Sequence, residues 1–290
     1  MVALLASRPM QVIRRVTVST FNDGFIHAGN LAYLSMLAIF PFFILGAALF
    51  DLIGGRENAE AMIETVTEAL PVSVASVIAP VAEDVIYARS GWLLWIGAGV
   101  GLWTVSSLIE TIRDILRRAY RAPPARAFWM TRLFSAGLIL AAVVVLMLSL
   151  FAQVVIGAAQ EVILAAFPQL AELLAALTSA RIVPALGLAL SLWVLFATLT
   201  PAEHRERRAP RWPGALFTTL WWIAVSIALP VVLRAFFTYD LTYGSLAGSM
   251  VTLLFFWLVG LGLVIGAELN AALALEGRSA AAHEASEEKA

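Results

Sequence analysis

The stretch from Tyr243 to Leu275, YGSLAGSMVTLLFFWLVGLGLVIGAELNAALAL, constrains this chain more than any other. It carries no charge until Glu268, where Gly266-Ala267-Glu268-Leu269-Asn270 sets a carboxylate and an amide into an otherwise apolar run. Roughly 20 consecutive apolar residues are what a helix needs to cross the hydrocarbon core of a bilayer. A carboxylate at the end of such a helix is costly to bury, so it calls for a partner or a water-filled site.

The whole chain has the same character. Hydrophobic residues make up 61% of its 290 residues and charged residues 13%, with a mean hydropathy of +0.88. A soluble domain of this length could not hide so much apolar surface from water. The formal net charge of −1 points to no acidic partner, so no nucleic acid is expected. The absence of cysteine excludes disulfides, thiolate metal sites and thiol nucleophiles. Val2 to Ala6 is too short for a secretory signal core, and Arg8, Arg14 and Arg15 follow it rather than precede it, so the first span is expected to drive insertion.

Six stretches have span character: Gly29 to Ile53, Trp92 to Ile109, Leu133 to Ala158, Ile182 to Leu199, Trp212 to Leu233 and Gly244 to Leu269. They do not alternate as barrel strands would, and helices satisfy every backbone group within the segment. The expected fold is all-α: a polytopic six-helix membrane bundle forming one domain over residues 1–275. A small, polar, acidic tail over 276–290 is expected to be disordered.

Arginine alternates from connection to connection. Arg8, Arg14 and Arg15 precede span one; Arg113, Arg117, Arg118, Arg121, Arg126 and Arg132 lie between spans two and three; Arg205, Arg207, Arg208 and Arg211 lie between spans four and five. The other connections are acidic, with Glu57, Glu60, Glu64, Glu68, Glu83 and Asp84 in the first of them. The positive-inside rule then places both termini in the cytoplasm.

The connection over 57–88 is expected to be a helical hairpin on the outer side. Met62, Val66, Ala69 and Leu70 follow helical spacing, Pro71 interrupts, and Val74, Val77, Ile78, Val81 and Val85 make a second apolar stripe. Val162 to Leu177 repeats the pattern more weakly. Such helices either cover the ends of the spans or form a lid over an opening. Pro41 and Pro230 fall within spans one and five as tolerated kinks or as hinges. Small residues four apart, at Gly97 and Gly101, Gly244 and Gly248, and Gly262 and Gly266, predict close helix packing within one subunit or between two copies.

This orientation brings polar residues of three spans to one membrane depth. Asp23, His27, Asn30 and Ser35 lie at the start of span one; Thr104, Ser106, Ser107, Glu110, Arg113 and Asp114 lie at the end of span two; Glu268 and Asn270 lie at the end of span six. They form a candidate polar cavity open to the cytoplasm, in which Arg113 or Arg117 is the expected cation for Glu268. The alternatives are a structural interhelical pair and a binding or gating site for an anionic head group. The segment RRAYRAPPARAFWMTR from Arg117 to Arg132 is basic and aromatic, and serves either as a topogenic loop or as a contact for anionic lipid. Candidate partners are thus membrane lipids, anionic ones included, and a second copy of the chain. No cofactor or metal is expected. Neither HExxH, a P-loop, GxSxG nor a paired aspartate cluster occurs, so no enzymatic activity is expected.

Ala32-Tyr33 followed by Phe40-Pro41, Leu102-Trp103 with Ser106-Ser107, the Arg126 to Arg132 segment, Pro213-Gly214-Ala215, Tyr243-Gly244-Ser245, Trp257 and above all Gly266-Ala267-Glu268-Leu269-Asn270 together make a pattern. In these residues the chain resembles the YihY/BrkB family of bacterial inner-membrane proteins, once called ribonuclease BN. The resemblance covers roughly Asp23 to Leu275, with Ala38 where the family often has serine. It implies six membrane helices with both ends inside, a link to virulence and envelope functions, and handling of lipid-like molecules. The residues themselves offer no acid–base or metal set for RNA hydrolysis.

Overall fold

The computed structural model describes residues 8–53, 63–64, 66–68, 70–88, 92–123, 129–141, 182–204, 210–236 and 246–287. Among them there is no β-strand, and the protein is an all-α polytopic membrane protein. The longer helices are α1 (Arg8–Ser19), α2 (Phe25–Ile53), α3 (Val72–Ala88), α4 (Trp92–Ala119), α5 (Trp129–Ala141), α6 (Ile182–Leu199), α7 (Trp212–Phe236) and α8 (Ala247–Glu287). Among the described residues four helical segments are long and apolar enough to cross a membrane: Pro9–Ala48, Trp95–Ala119, Trp212–Leu233 and Ala247–Glu276. The expected fourth span coincides with α6, and the expected third begins within α5. Residues 142–158 of that third span, the 162–177 segment and most of the first arm of the 57–88 hairpin lie outside the described residues.

The chain divides into two compact units, Met1–Met36 with Leu108–Arg126 and Leu188–Ala290, and Leu37–Ser107 with Ala127–Gly187. In the first unit, α8 packs along α7 and against α1 and the turn that follows it. That turn, Thr20–Gly24, is a π-helix joining α1 to α2. Sequence patterning placed only an arm before span one; instead the backbone is helical from Arg8 onward. Pro9 sits in the first turn, where its missing N–H costs no helical hydrogen bond. Further on, Phe25 stacks on Trp257 with ring centroids 5.8 Å apart. Gly260 lets α8 approach α2, since a Cβ there would stand 3.1 Å from the Ala28 carbonyl oxygen.

α8 is 41 residues long. At 1.5 Å per residue it extends about 60 Å, roughly twice the hydrocarbon thickness. Its backbone stays helical to Glu287, through the tail that composition marks for disorder. The alanines of Ser279-Ala280-Ala281-Ala282 are strong helix formers and extend a helix already nucleated within the membrane.

In the second unit α3 buries Val74 and Ile78 of the expected stripe, with Ala82 one turn further on, while Val77 and Val81 are half-buried. The helix starts after Pro71 and continues through Pro80. α2 likewise continues through Pro41. Gly101 of α4 lies against this proline, where a Cβ would stand 2.7 Å from the Pro41 carbonyl oxygen and 3.0 Å from its Cβ. Arg132, 9% exposed, reaches from α5 to α4. Its Nη2 donates to the Trp103 carbonyl at 2.8 Å and to the Ser107 hydroxyl at 3.0 Å, and its guanidinium covers the Trp103 ring at 3.8 Å. This arginine therefore locks two helices rather than meeting lipid as part of a basic loop. We expect Gly101→Ala to destabilise the protein by about 1–3 kcal/mol through overpacking against Pro41. An unchanged melting temperature in detergent would show that the helices can part there without cost.

Candidate functional site

The first turn of α7 has amide hydrogens with no partner in their own helix, as every helix start does. Asn270 of α8 supplies the partner. Its Oδ1 accepts from the Gly214 N–H at 2.8 Å, and its Nδ2 donates to the Arg211 carbonyl at 3.0 Å. Asn270 is 1% exposed; the bond from Gly214 is buried and the one to Arg211 part-buried. They need close backbones: a Cβ on Gly214 would collide with the Gly266 carbonyl and with the Asn270 amide. One turn and then two turns along, the Thr218 hydroxyl donates to the Gly262 carbonyl at 3.2 Å and Trp221 Nε1 donates to the Leu258 carbonyl at 2.7 Å. The Gly262 and Gly266 pair thus serves contact between α8 and α7 within one chain. Asn270 is a capping residue supplied from another helix, with both ends of its amide engaged there.

Glu268 faces a different neighbour. Buried at 9% exposure, it is hydrogen-bonded by Ser19 and stands within electrostatic reach of Arg15, Arg121 and Asp23. Its cations are therefore Arg15 and Arg121, where the sequence suggested Arg113 or Arg117. Arg113 is half-buried beside Glu110 and Arg117 on its own helix, and Arg117 Nη1 donates to the Pro123 carbonyl at 2.6 Å.

Ser19, Arg15 and Arg121 also line a cavity of about 400 Å³, a volume within the range of small-molecule sites. α1 and its turn contribute Gln11, Arg14, Arg15, Val18, Ser19 and Asn22, and the end of α4 contributes Arg118, Ala119 and Arg121. Positions 11, 14, 15 and 18 recur at helical spacing and so share one face of α1, and Asn22 follows in the π-turn. Among the described residues four guanidinium groups line the cavity and no carboxylate does. Arg118 is tied to Asp114 at 2.9 Å, an exposed i,i+4 pair.

Arg121 has an unusual backbone. α4 ends with the Arg121 N–H bonded to the Arg118 carbonyl at 3.0 Å and the Ala122 N–H to the Arg117 carbonyl at 2.8 Å. This is the left-handed helix stop that glycine usually occupies. Arg121 adopts it at φ 54°, a conformation that costs a non-glycine residue about 1–2 kcal/mol. Strained residues of this kind cluster at functional sites.

The structure brings together only part of the predicted constellation. Asp23, exposed in the π-turn, and His27, half-buried in the first turn of α2, stand near Arg118. His27 also has Asp114 as a neighbour. Asn30 is exposed, and Ser35 is half-buried. Ser106, in the other compact unit, spends its hydroxyl on the Leu102 carbonyl of its own helix at 2.6 Å, and Ser107 is engaged by Arg132. Among the described residues no group of three or more histidine, aspartate and glutamate side chains is placed to hold a metal ion. Gln11, Arg14, Ser19, Asn22, Arg118 and Arg121 were not foreseen as site residues. The helical spacing before span one was the available signal.

A family model described as virulence factor BrkB matches residues 16–290. The chain belongs to this family. The BrkB-family protein is 28% identical over 269 residues to a Bacillus subtilis protein, YfkH, named as ribonuclease-like, with 88% of this chain and 91% of that protein covered. It is 23% identical over 262 residues to a UPF0761 membrane protein of Pseudoalteromonas translucida, with 87% and 81% covered. No solved structure matches it. In this BrkB-family protein, Asn270→Ala would leave the Gly214 N–H unpaired in a buried interface. The expected loss is about 1–3 kcal/mol, read as a lower melting temperature in detergent.

Proposed function

We propose that this membrane protein is a transporter or lipid-handling protein of the bacterial inner membrane, and that it binds an anionic group, such as a lipid head group, in the arginine-lined cavity. The observation that carries this reading is the cavity itself, with Arg14, Arg15, Arg118 and Arg121 on its wall. A membrane-adjacent cluster of arginines attracts anionic lipid at about 1 kcal/mol per basic residue. Arginine alternation along the sequence supports cytoplasmic chain ends, which puts the cavity on the inner-leaflet side. Reporter fusions that place either end outside the cell would overturn that orientation.

Arg121 offers a separating test. Arg121→Gly relieves the left-handed backbone by up to about 1 kcal/mol, which offsets the loss of one of the two cations near Glu268, and Arg15 remains, so the variant should stay folded with a stability close to the parent's. It should nonetheless bind vesicles containing anionic phospholipid several-fold more weakly. Unchanged lipid binding would remove the cavity from the proposal.

A second reading, a non-transporting envelope scaffold, is favoured by the Asn270 clamp, a polar residue used wholly for packing. Glu268→Gln distinguishes the two. A carrier should lose transport while remaining folded and inserted; a scaffold should lose thermal stability instead. An RNase role has no residue set to support it, although a relative is named as ribonuclease-like. RNA cleavage by highly purified protein, abolished by one point mutation, would revive it.

A further inference from the structure

The face of α1 that lines the arginine cavity, with Gln11, Arg14, Arg15 and Val18, is carried into the following turn by Asn22. In an α-helix four residues overshoot a full turn by about 40°, so a face followed in steps of four drifts around the axis. The turn Thr20–Gly24 is a π-helix, and its i→i+5 bonding holds more residues per turn. It takes up the overshoot, and the cavity face runs straight on into α2 at Ile26. Tyr33, seven residues later, falls in line again, with Asn30 at the edge. Exposure agrees with this phase. Ile26 is 73% exposed and Tyr33 59%, and Val18, Asn22 and Asn30 are exposed with them. The opposite side of the same stretch is buried at Gly24, Ala28, Leu31 and Ala32. That side meets α8, where Gly24 faces Val264, and Ala28 and Leu31 face Gly260.

The strip changes character along its length. It is cationic on α1, carries an amide at Asn22, and is mainly apolar from Ile26 onward. Ile26 stands eight residues beyond Val18, about 12 Å along the axis, and Tyr33 about 10 Å further. Both belong to Pro9–Ala48, a segment long and apolar enough to cross a membrane. Tyr33 pairs an apolar ring with a polar tip, as residues at a membrane interface do. A soluble anion would engage only the cationic end of this strip. An anionic lipid engages all of it: guanidiniums hold the phosphate, the Asn22 amide can donate to ester oxygens one turn on, and the apolar part meets an acyl chain.

We propose that the cavity takes a membrane-resident anionic phospholipid that enters sideways from its leaflet, with the phosphate among the arginines and one acyl chain laid along Ile26 and Tyr33. This rests on the reading of the cavity as an anion site, and adds the class of ligand and its route.

The test uses the full-length protein in phosphatidylcholine nanodiscs doped with phosphatidic acid that carries a diazirine on one acyl chain. After photolysis, adducts mapped by mass spectrometry should concentrate on residues 26–33. An excess of unlabelled dioleoyl phosphatidic acid should reduce them several-fold more than the same excess of dioleoyl phosphatidylcholine. Arg121→Gly should also lower them several-fold. Lipid that merely surrounds the protein is read from Leu220 and Ile227 of α7, exposed apolar residues on which the two unlabelled lipids should compete equally. Ile26→Gln, at an exposed position, should keep the parent's melting temperature and need several-fold more phosphatidic acid for the same adduct yield. Competition on residues 26–33 no different from that on α7, or adducts there indifferent to Arg121→Gly, would overturn the proposal. Melting-temperature titrations in detergent with glycerol 3-phosphate and with dioleoyl phosphatidic acid then separate two kinds of failure. A rise with glycerol 3-phosphate that is as large as with the lipid, and lost in Arg121→Gly, means that the cavity holds a soluble anion and only the sideways route falls. No Arg121-dependent rise with either probe removes the anion site as well.

Discussion

The two hydrogen bonds of Asn270 hold the first turn of α7 against α8, and the rest of the first compact unit depends on that contact. A helix start in a water-poor setting must find partners for its free amides, because each one left unpaired costs several kcal/mol in hydrocarbon. α7 cannot supply them itself: it opens on Trp212-Pro213-Gly214, without the serine, threonine or aspartate that caps most helices. The amide of Asn270 does that work from outside, accepting from the Gly214 N–H and donating to the Arg211 carbonyl. It reaches because neither Gly214 nor Gly266 has a side chain to keep the backbones apart.

The same anchor decides where Glu268 points. Residues two apart on a helix are separated by about 200°. Once Asn270 is turned to α7, Glu268 is turned away from it, toward Ser19 and Arg15 of α1 and Arg121 at the end of α4. Two residues of one short motif therefore have different tasks, one closing a backbone and one meeting arginine. The arginines need this. Four guanidiniums on one cavity wall repel one another, and carboxylates placed behind or beside the wall offset the repulsion: Glu268 for Arg15 and Arg121, Asp114 for Arg118. The exposed Asp114 pair contributes little, about 0.5 kcal/mol. Glu268 is buried, where a charge pair is less screened by water than at the surface but the carboxylate also loses hydration.

The first, second, fifth and sixth expected spans were legible because each has one dominant signal, a long apolar run, and hydrophobicity needs no knowledge of neighbours. The α3 stripe was legible in part for a related reason: Val74 and Ile78 repeat at helical spacing, whereas Ala82, which continues the buried line in place of Val81, is too small to stand out in the pattern. α1 was not, because arginines and short apolar residues alternate there without a long run, and charge before a first span is ordinarily topogenic. The partner of Glu268 was also misassigned. Arg113 and Arg117 looked suitable because they share a helix with other polar residues, but local pairing with Glu110 and the Pro123 carbonyl engages them. Which arginine faces a given carboxylate depends on helix rotation, and rotation is set by glycine contacts such as Gly214 on Gly266. Spacing along one helix holds no record of that.

The turn after α4 shows how much chemistry one backbone choice can organise. A glycine at position 121 would end the helix at lower cost. Arginine there accepts a strained left-handed backbone and in return brings a guanidinium to the cavity wall. The residue before it, Tyr120, points into the protein against His204 and Thr200. Consecutive residues of a turn diverge in this way because the left-handed step reverses the chain between them. The stop signal of α4, conventional in its hydrogen bonds and unusual in its residue, therefore serves the cavity on one side and the buried Tyr120 ring on the other. Asn270 fixes the backbone just before α7 through the Arg211 carbonyl. A single amide thus sets the position of Arg211 directly, and through the rotation of α8 it sets the environment of Arg121.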